Sequence, residues 1–426
     1  MRTVDEHRAV VAALLAPTPV QDRALADALG LVLAEDLHAR IPLPPFDNSA
    51  MDGYAVLAAD VANATPGHPI RLPVVEDIPA GRLDIVALRP GTAHRIMTGA
   101  PMPPGADAVV KVEDTDGGTG AVRIDTAAAP GNHVRRLGED AVADAVALPA
   151  GTVLGPAQLG LAAAVGAATV RVRRPPNVLV LSTGSELVAP GEPLRHGQIY
   201  ESNGTMLAAS VREAGGNAEQ LRFVPDDVPQ FLAAIAERLS VGEVDLVLTS
   251  GGVSAGAFEV VKDALTGRGV EFVRVAMQPG GPQGAGRLTG FRTASDPAGD
   301  TADDTAGDPA DGTPVVTLPG NPVSSQVSFE VFVRPALRAA MGHPHPDRPI
   351  VLAKLGETLT SPPGRRQFRR GELDAVTGTV RTVGGPGSHL LSALARADCL
   401  IALDHDGPAP RIHREGTEVS VWLLQR

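Results

Sequence analysis

The chain has 426 residues, which at roughly 100–200 residues per domain implies two to four domains, each able to bury a core. It carries 49 Asp+Glu against 37 Lys+Arg, a net charge of −12; that excludes a general nucleic-acid binder, which would show a basic surplus, though not a local basic groove. One cysteine, Cys399, excludes an internal disulfide and any multi-cysteine metal site, and a buried thiol is its simplest reading. Only Lys111, Lys262 and Lys354 are lysines, and the arginine excess reads as a bias of the source. The N-terminus has no basic segment and no small-residue cleavage site, so no signal peptide is expected. No uncharged apolar stretch reaches about 18 residues, so no membrane span is expected and the cytoplasm is the expected compartment. With 3% aromatics, the cores must be built from Val, Leu, Ala and Ile.

In chain order, Thr3 and Glu6 form a capping box ahead of an apolar face of Val10, Val11, Leu14 and Leu15, which predicts a first helix. The stretch Val20 to Leu37 reads as a second helix, ending near Pro42. The prolines of IPLPPFDNSAMDGYAV then impose an ordered loop. Residues 54–150 alternate short apolar runs with Gly/Pro turns, the pattern of a small all-β module. Residues 151–174 read as helix, then strand, ending in a hinge at RVRRPP.

From Pro176 the pattern changes. NVLVLSTGSEL, VDLVLTSGGVSAG and PVVTLPGNPVSS are apolar strands running into small polar loops. A further strand, LRFVPDD, and helices at Ser202 to Ala214, at Val228 to Leu239, after TSGGVSAG and after LPGNPVSS alternate with them. Alternating strands and helices predict a mostly parallel sheet with helices on both faces, whose strands lack polar alternation because both faces are covered. Residues 293–312 hold six aspartates, no basic residue and no large apolar residue; such a segment is expected to stay disordered as an acidic loop, and it lacks calcium-loop spacing. Residues 341–426 return to short strands.

The chemistry concentrates at three loops: STGSE (182–186), TSGGVSAG (249–256) and LPGNPVSS (318–325). In an open α/β sheet, ligands bind beyond the carboxyl ends of the strands, where backbone N–H groups and helix N-termini favour anions. Glycines let the backbone approach a phosphate closely. No Walker A, GxGxxG or HExxH motif is present. Glu186, Asp226, Asp227 and Glu259 lie beside these loops. Carboxylates next to phosphate favour an intervening divalent cation such as Mg²⁺, although each acid alone also suits a helix cap. In the N-terminal half, FDNSAMDGYA and RIMTGAPMPPGADAVV supply Asp47, Asn48, Ser49, Asp52 and Thr98; turn-forming roles suffice for these on physical grounds. Arg135 and Arg136 with Glu139 and Asp140 are expected to form an interdomain salt bridge.

The stretches FDNSAMDGYAV, IMTGAPMPPGADAVV, RRLGED, LSTGSEL, ESNGTML, TSGGVSAG, MQPGGP, LPGNPVSS and GPGSHLLSALARAD occur in one order from about residue 4 to 424. In them the chain resembles the molybdopterin molybdenumtransferase family, the MoeA and gephyrin E-domain proteins. The resemblance implies an elongated homodimer of four-part subunits. These parts are a split N-terminal linking domain (1–45 and 146–175, helical), a β-rich domain (46–145), a three-layer α/β molybdopterin-binding domain (176–340) and a small C-terminal β-barrel-like domain (341–426). It implies insertion of molybdenum from molybdate into adenylylated molybdopterin, with release of AMP and a requirement for Mg²⁺.

The site implied by the resemblance is shared between subunits. Asp52 and Thr98 match positions on the partner side of the cleft. Glu186, Asp226, Asp227 and Glu259 match acidic positions around phosphates and cation, and of these Glu186, Asp227 and Glu259 join Asp52 and Thr98 as catalytic candidates. Ser250, Gly251, Gly252 and Ser254 match the phosphate-cradling loop. Pro319, Gly320, Asn321 and Pro322 match the loop that helps hold the oxyanion, and Lys262 matches a lysine following the acidic position.

Three positions depart from the pattern: Glu259 for the usual aspartate, Gln278 for the lysine of MKPG-type members, and Gly281 for a second, variable lysine. Each lost charged hydrogen bond should weaken anion binding by roughly 1–3 kcal/mol. The alternative that these losses favour is a gephyrin-like dimeric scaffold that binds a protein partner through a degenerate site. An adenylyltransferase would account for the α/β domain alone.

Overall fold

The computed structural model describes residues 1–224, 227–252, 260–291, 312–404 and 407–424, with backbone only at 222–224. Asp226, Ser254, Glu259 and all of the acidic 293–312 segment but Gly312 lie outside them. The chain groups into two compact units. One comprises Met1–Gln21, Gly30–Ala34 and Val172–Arg426, and the other Asp22–Leu29 and Glu35–Arg171.

The larger unit is built on a six-stranded sheet. Its order is Asn217–Val224, Asn177–Thr183, Leu246–Ser250, Thr313–Leu318, Pro282–Leu288 and Val270–Arg274. The first four strands run parallel and the last two join antiparallel. Both faces are covered, as the uninterrupted apolar runs require. Val178, Val180, Leu246 and Leu248 pack on one side with Leu207 and Val211 of the helix Asn203–Glu213 and with Phe329 and Phe332. Leu179, Leu181 and Val247 pack on the other with Phe231 and Ile235 of the helix Val228–Val241 and with Val261 and Leu265.

A closed barrel follows in the same unit. Arg366–Asp374, Thr379–Thr382, Ile350–Leu355, Glu418–Leu423 and Cys399–Leu403 pair in turn, and the last pairs back onto the first. Closure removes free strand edges. Leu355, Val380, Ile401 and Val421 fill the interior together with Cys399, whose thiol burial pushes well up from its ordinary pKa. The short strand Met277–Gln278 adds to the barrel, pairing in parallel with Arg366 and Gln367.

The smaller unit holds a five-stranded sheet ordered Ala108–Lys111, Gly53–Val56, Ala93–Ile96, Ile70–Ile78, Ala121–Ile124. Tyr54 and Val56 face one core, and Ala55, Ile96 and Val109 face another.

The helix Val4–Leu14 carries the capping box read from Thr3 and Glu6, with both reciprocal bonds present. The helix expected over Val20 to Leu37 does not form. Val20–Ala24 is a strand, Leu25–Asp27 a single 3₁₀ turn and Leu37–His38 a second strand. Gly30 takes a left-handed φ of 78° and breaks the apolar repeat. Beyond it, Val32 and Leu33 are buried as neighbours, in extended backbone bonded to Val172 and Arg173. Adjacent buried residues suit an extended segment between two layers, not one helical face.

His7 is fully buried edge-on against Phe332, with ring centroids 4.8 Å apart. Burial, aided by the positive charge of Arg2, pushes its pKa down to about 4. Burial beside Arg338 and Arg334 does the same to His343. An unfolded histidine takes up its proton near pH 6.5, whereas these two stay neutral in the fold until about pH 4. The unfolded state therefore binds more protons between those limits, and stability falls as the pH drops through them. Denaturant unfolding of His7→Leu should show the pH slope reduced by one proton, ~1.4 kcal/mol per pH unit over that window. An unchanged slope would mean that His7 is charged in the folded protein.

Candidate functional site

The three glycine-rich loops emerge side by side because the parallel register brings Ser182 level with Ser250 and Ser250 level with Leu318. The chain leaves the Asn177–Thr183 strand in one direction, to Asn217–Val224, and returns across it to Leu246–Ser250. That reversal of strand order leaves a crevice at the carboxyl ends, the usual ligand position in doubly wound sheets. A cleft of about 1360 Å³ opens there, larger than the roughly 300–1,000 Å³ of an ordinary small-molecule pocket.

Glu186, Asp227, Ser250, Gly251, Gly252, Pro319, Gly320, Asn321 and Pro322 all line this one cleft. Gly251 and Gly252 adopt left-handed φ values of 99° and 64°. A Cβ on Gly252 would fall 2.9 Å from Val261, so the loop requires glycine for both conformation and space. Asn321 stands at the N-cap of the short helix Pro322–Ser328, and Pro322 takes the first turn, where its missing N–H costs nothing.

Two side chains stitch the loops together. Asn203 donates through Nδ2 to Ser250 Oγ at 2.9 Å and to the Gly320 carbonyl at 2.6 Å, joining the second loop to the third. Ser250 Oγ in turn donates to the Pro319 carbonyl at 3.2 Å. Glu201 is a buried carboxylate that accepts from Ser182 Oγ at 2.9 Å, from Gln220 Nε2 at 3.1 Å and from the Gly204 amide. It ties the first loop to the start of the Asn203–Glu213 helix.

Asp227 caps the Val228–Val241 helix, accepting from the Gln230 amide at 2.9 Å, while also lining the cleft. Lys262 sits half-buried on the helix Val260–Leu265 and is not among the residues lining the cleft; its backbone amide donates to Gly252 O at 3.2 Å. Gln278 does line the cleft and accepts at Oε1 from Gln367 Nε2 at 2.7 Å, so a neutral amide occupies the lysine position.

Asp52 and Thr98 belong to the smaller unit. Asp52 directly precedes the strand Gly53–Val56, and Thr98 follows the strand Ala93–Ile96 that pairs with it, Gly53 opposite Ile96. That register brings them together: Thr98 donates through N at 2.6 Å and Oγ1 at 2.7 Å to Asp52 Oδ1. These bonds, with the nearby Arg95, hold the Asp52 carboxyl below the usual carboxylate range. Gly53 is required, because a Cβ there would meet the Val110 carbonyl at 2.0 Å.

Arg136 binds Asp47 at 2.7 Å inside this unit, and its backbone amide donates to Glu139 at 2.8 Å. The expected pairing of Arg136 with Glu139 and Asp140 is therefore replaced by an Asp47 contact. The Leu137 amide and Arg136 together lower the Asp47 pKa. Asn48 and Ser49 serve local turns, donating to the carbonyls of Phe46 and Met51.

Glu201, Asn203 and the wall Pro386–His389 line the cleft although sequence reasoning misses them. The signal for the first two was ESNGTML, an acid and polar caps opening a helix after a strand.

A doubly wound sheet with three glycine loops and carboxylates at its switch point is an arrangement suited to anionic, phosphate-bearing ligands. The comparisons make this specific. Residues 2–166 match the MoeA N-terminal region (domain I and II), 179–339 the probable molybdopterin binding domain, and 352–424 the MoeA C-terminal region (domain IV). Molybdopterin molybdenumtransferase 2 of Mycobacterium tuberculosis (strain H37Rv) is 52% identical over 431 residues, covering all of both chains. Molybdopterin molybdenumtransferase 1 of the same organism is 39% identical over 427 residues, covering 95% of each. A solved molybdopterin biosynthesis MoeA protein from Pyrococcus horikoshii superposes with a TM-score of 0.80 at 31% identity, over 100% of this chain and 99% of that one. The chain belongs to the molybdopterin molybdenumtransferase family and is a transferase of molybdenum cofactor biosynthesis.

The cap that Asp227 makes and the cation-binding role expected of it can be separated. Asp227→Ala should cost about 1 kcal/mol of stability through loss of the cap. Asp227→Asn should keep the cap and melt like wild type, yet show weaker magnesium-dependent binding of AMP by calorimetry. Unchanged binding would leave Asp227 with the cap alone.

Proposed function

We propose that this transferase inserts molybdenum from molybdate into adenylylated molybdopterin, cleaving the phosphoanhydride and releasing AMP, with Mg²⁺ bound. The observation that carries the reading is the convergence of Glu186, Asp227 and the three glycine loops on one cleft. Two phosphates and an oxyanion need dense N–H donors, and backbone amides in glycine loops supply them. A hard cation binds through one or two carboxylates plus phosphate oxygens. Glu186 and Asp227 suit that donor set. Among the described residues no cluster of three or more metal-ligating side chains occurs, so substrate phosphates and water would complete the shell. Bound there, magnesium would neutralise charge on the phosphates. Asp226 and Glu259, outside the described residues, are further candidate ligands. Gln278 can donate its amide N–H to an anion, but without the charge of a lysine.

Asp52, held ionised by Thr98, is proposed to act as the base or orienting group in the partner's cleft of a homodimer. The cytoplasm is the proposed compartment. Among the described residues no helix is long and apolar enough to cross a membrane.

In a strain lacking its own molybdenumtransferase, the wild-type gene should restore nitrate reductase activity, and Glu186→Ala or Asp52→Asn should not. Failure of the wild type to rescue would refute the reading. Light scattering at micromolar concentration should give the mass of a dimer of the 43.8 kDa chain; a monomer would eliminate the shared site.

A further inference from the structure

The glycine loops and carboxylates answer to phosphate and cation, but they leave the substrate's flat ring systems without a partner. The residues lining the cleft include one tyrosine, Tyr200, and one histidine, His389. Aromatic residues are scarce in this chain, and most of those described are core: Tyr54, Phe231, Phe329, Phe332, Phe368 and Trp422 are buried. Tyr200 is 44% exposed and its neighbour Ile199 is 55% exposed, both on the cleft wall. Exposed apolar area on a cleft wall is where a ligand's apolar or planar part can be buried.

Their exposure is not that of a frayed loop. The strand Ile199–Tyr200 pairs in parallel with Leu187–Val188. Ile199 N donates to the Glu186 carbonyl at 2.9 Å, and Glu201 N donates to the Val188 carbonyl at 2.9 Å. The Tyr200 hydroxyl donates to the Glu192 carbonyl at 3.0 Å. The ring is thus pinned at its polar end. Its backbone lies between Glu186, a cleft carboxylate, and Glu201, the buried anchor of the first loop. A ring held in place beforehand loses little freedom when a ligand stacks on it.

The geometry points to Tyr200, flanked by Ile199, as the platform on which the cleft stacks a planar nitrogen heterocycle of its substrate, either adenine or pterin. This assignment rests on the nucleotide reading above and deepens it. Base–aromatic stacking is lost on alanine substitution with a penalty of about 5- to 150-fold in affinity.

The test is calorimetry on the full chain with magnesium present, using AMP, ribose 5-phosphate and 6-hydroxymethylpterin as probes. Wild type should bind AMP more tightly than ribose 5-phosphate. Tyr200→Ala should lose that preference, or lose pterin binding, by about 5-fold or more, with ribose 5-phosphate binding unchanged. The intact ribose 5-phosphate affinity also shows that the variant is folded. Tyr200→Phe, which keeps the ring and loses only its pin, should stay within a few-fold of wild type. Loss confined to AMP assigns adenine to the platform, and loss confined to the pterin assigns pterin. Equal affinities of wild type and Tyr200→Ala for both ring probes would overturn the proposal, as would transfer of the whole effect to His389→Ala. If the wild type binds neither AMP nor ribose 5-phosphate, the nucleotide reading fails, and the platform with it.

Discussion

The site depends on the parallel register of three strands. Ser182, Ser250 and Leu318 lie level across the sheet, so three loops that are distant in sequence end at one edge. A slip by one residue in any pair would turn its apolar set to the wrong face and withdraw a loop from the cleft. The register is enforced from both sides, because alternate residues of each strand are claimed by separate cores. Binding geometry and fold stability are therefore set by the same packing.

Side-chain bonds then refine what the register delivers. Asn203 spans the second and third loops, and Glu201 fastens the first to a helix. Glu201 is a buried carboxyl group placed beneath the cleft, and three donors satisfy it, as a buried polar group demands. Among the described residues lining the cleft there is no lysine or arginine, and Gln278 lines it as a neutral amide.

The parallel strands were legible because burial on both faces leaves unbroken runs such as NVLVL and VDLVL. The antiparallel edge was not. Pro282–Leu288 reads PQGAGRL, with glycines where a strand former would be expected. Those glycines are needed because the neighbouring strand is too close; a Cβ on Gly286 would lie 2.0 Å from the Gly269 carbonyl. The segment Val20 to Leu37 misled for the opposite reason, since its apolar count suits a helix while its burial follows an extended path. Glu201 could not be told from a surface acid without Ser182 and Gln220, each 19 residues away. Glu186, Asp227 and the loop glycines were legible from their position after apolar strands. The pairing of Asp52 with Thr98 needed the register of Gly53 and Ile96.

The barrel strand Arg366–Asp374 carries, beside its four fellows, the fragment Met277–Gln278 from the cleft wall. The barrel also sends Pro386–His389 back to line the same cleft. It is thus a structural wall of the cleft, not a detachable appendage. Removing everything after residue 340 would strip one side of the cleft and leave the Met277–Gln278 backbone with an open edge. The loop between Thr379–Thr382 and Cys399–Leu403 that carries Pro386–His389 is for the same reason part of the cleft, although the sheet that holds the glycine loops belongs to a different stretch of the chain.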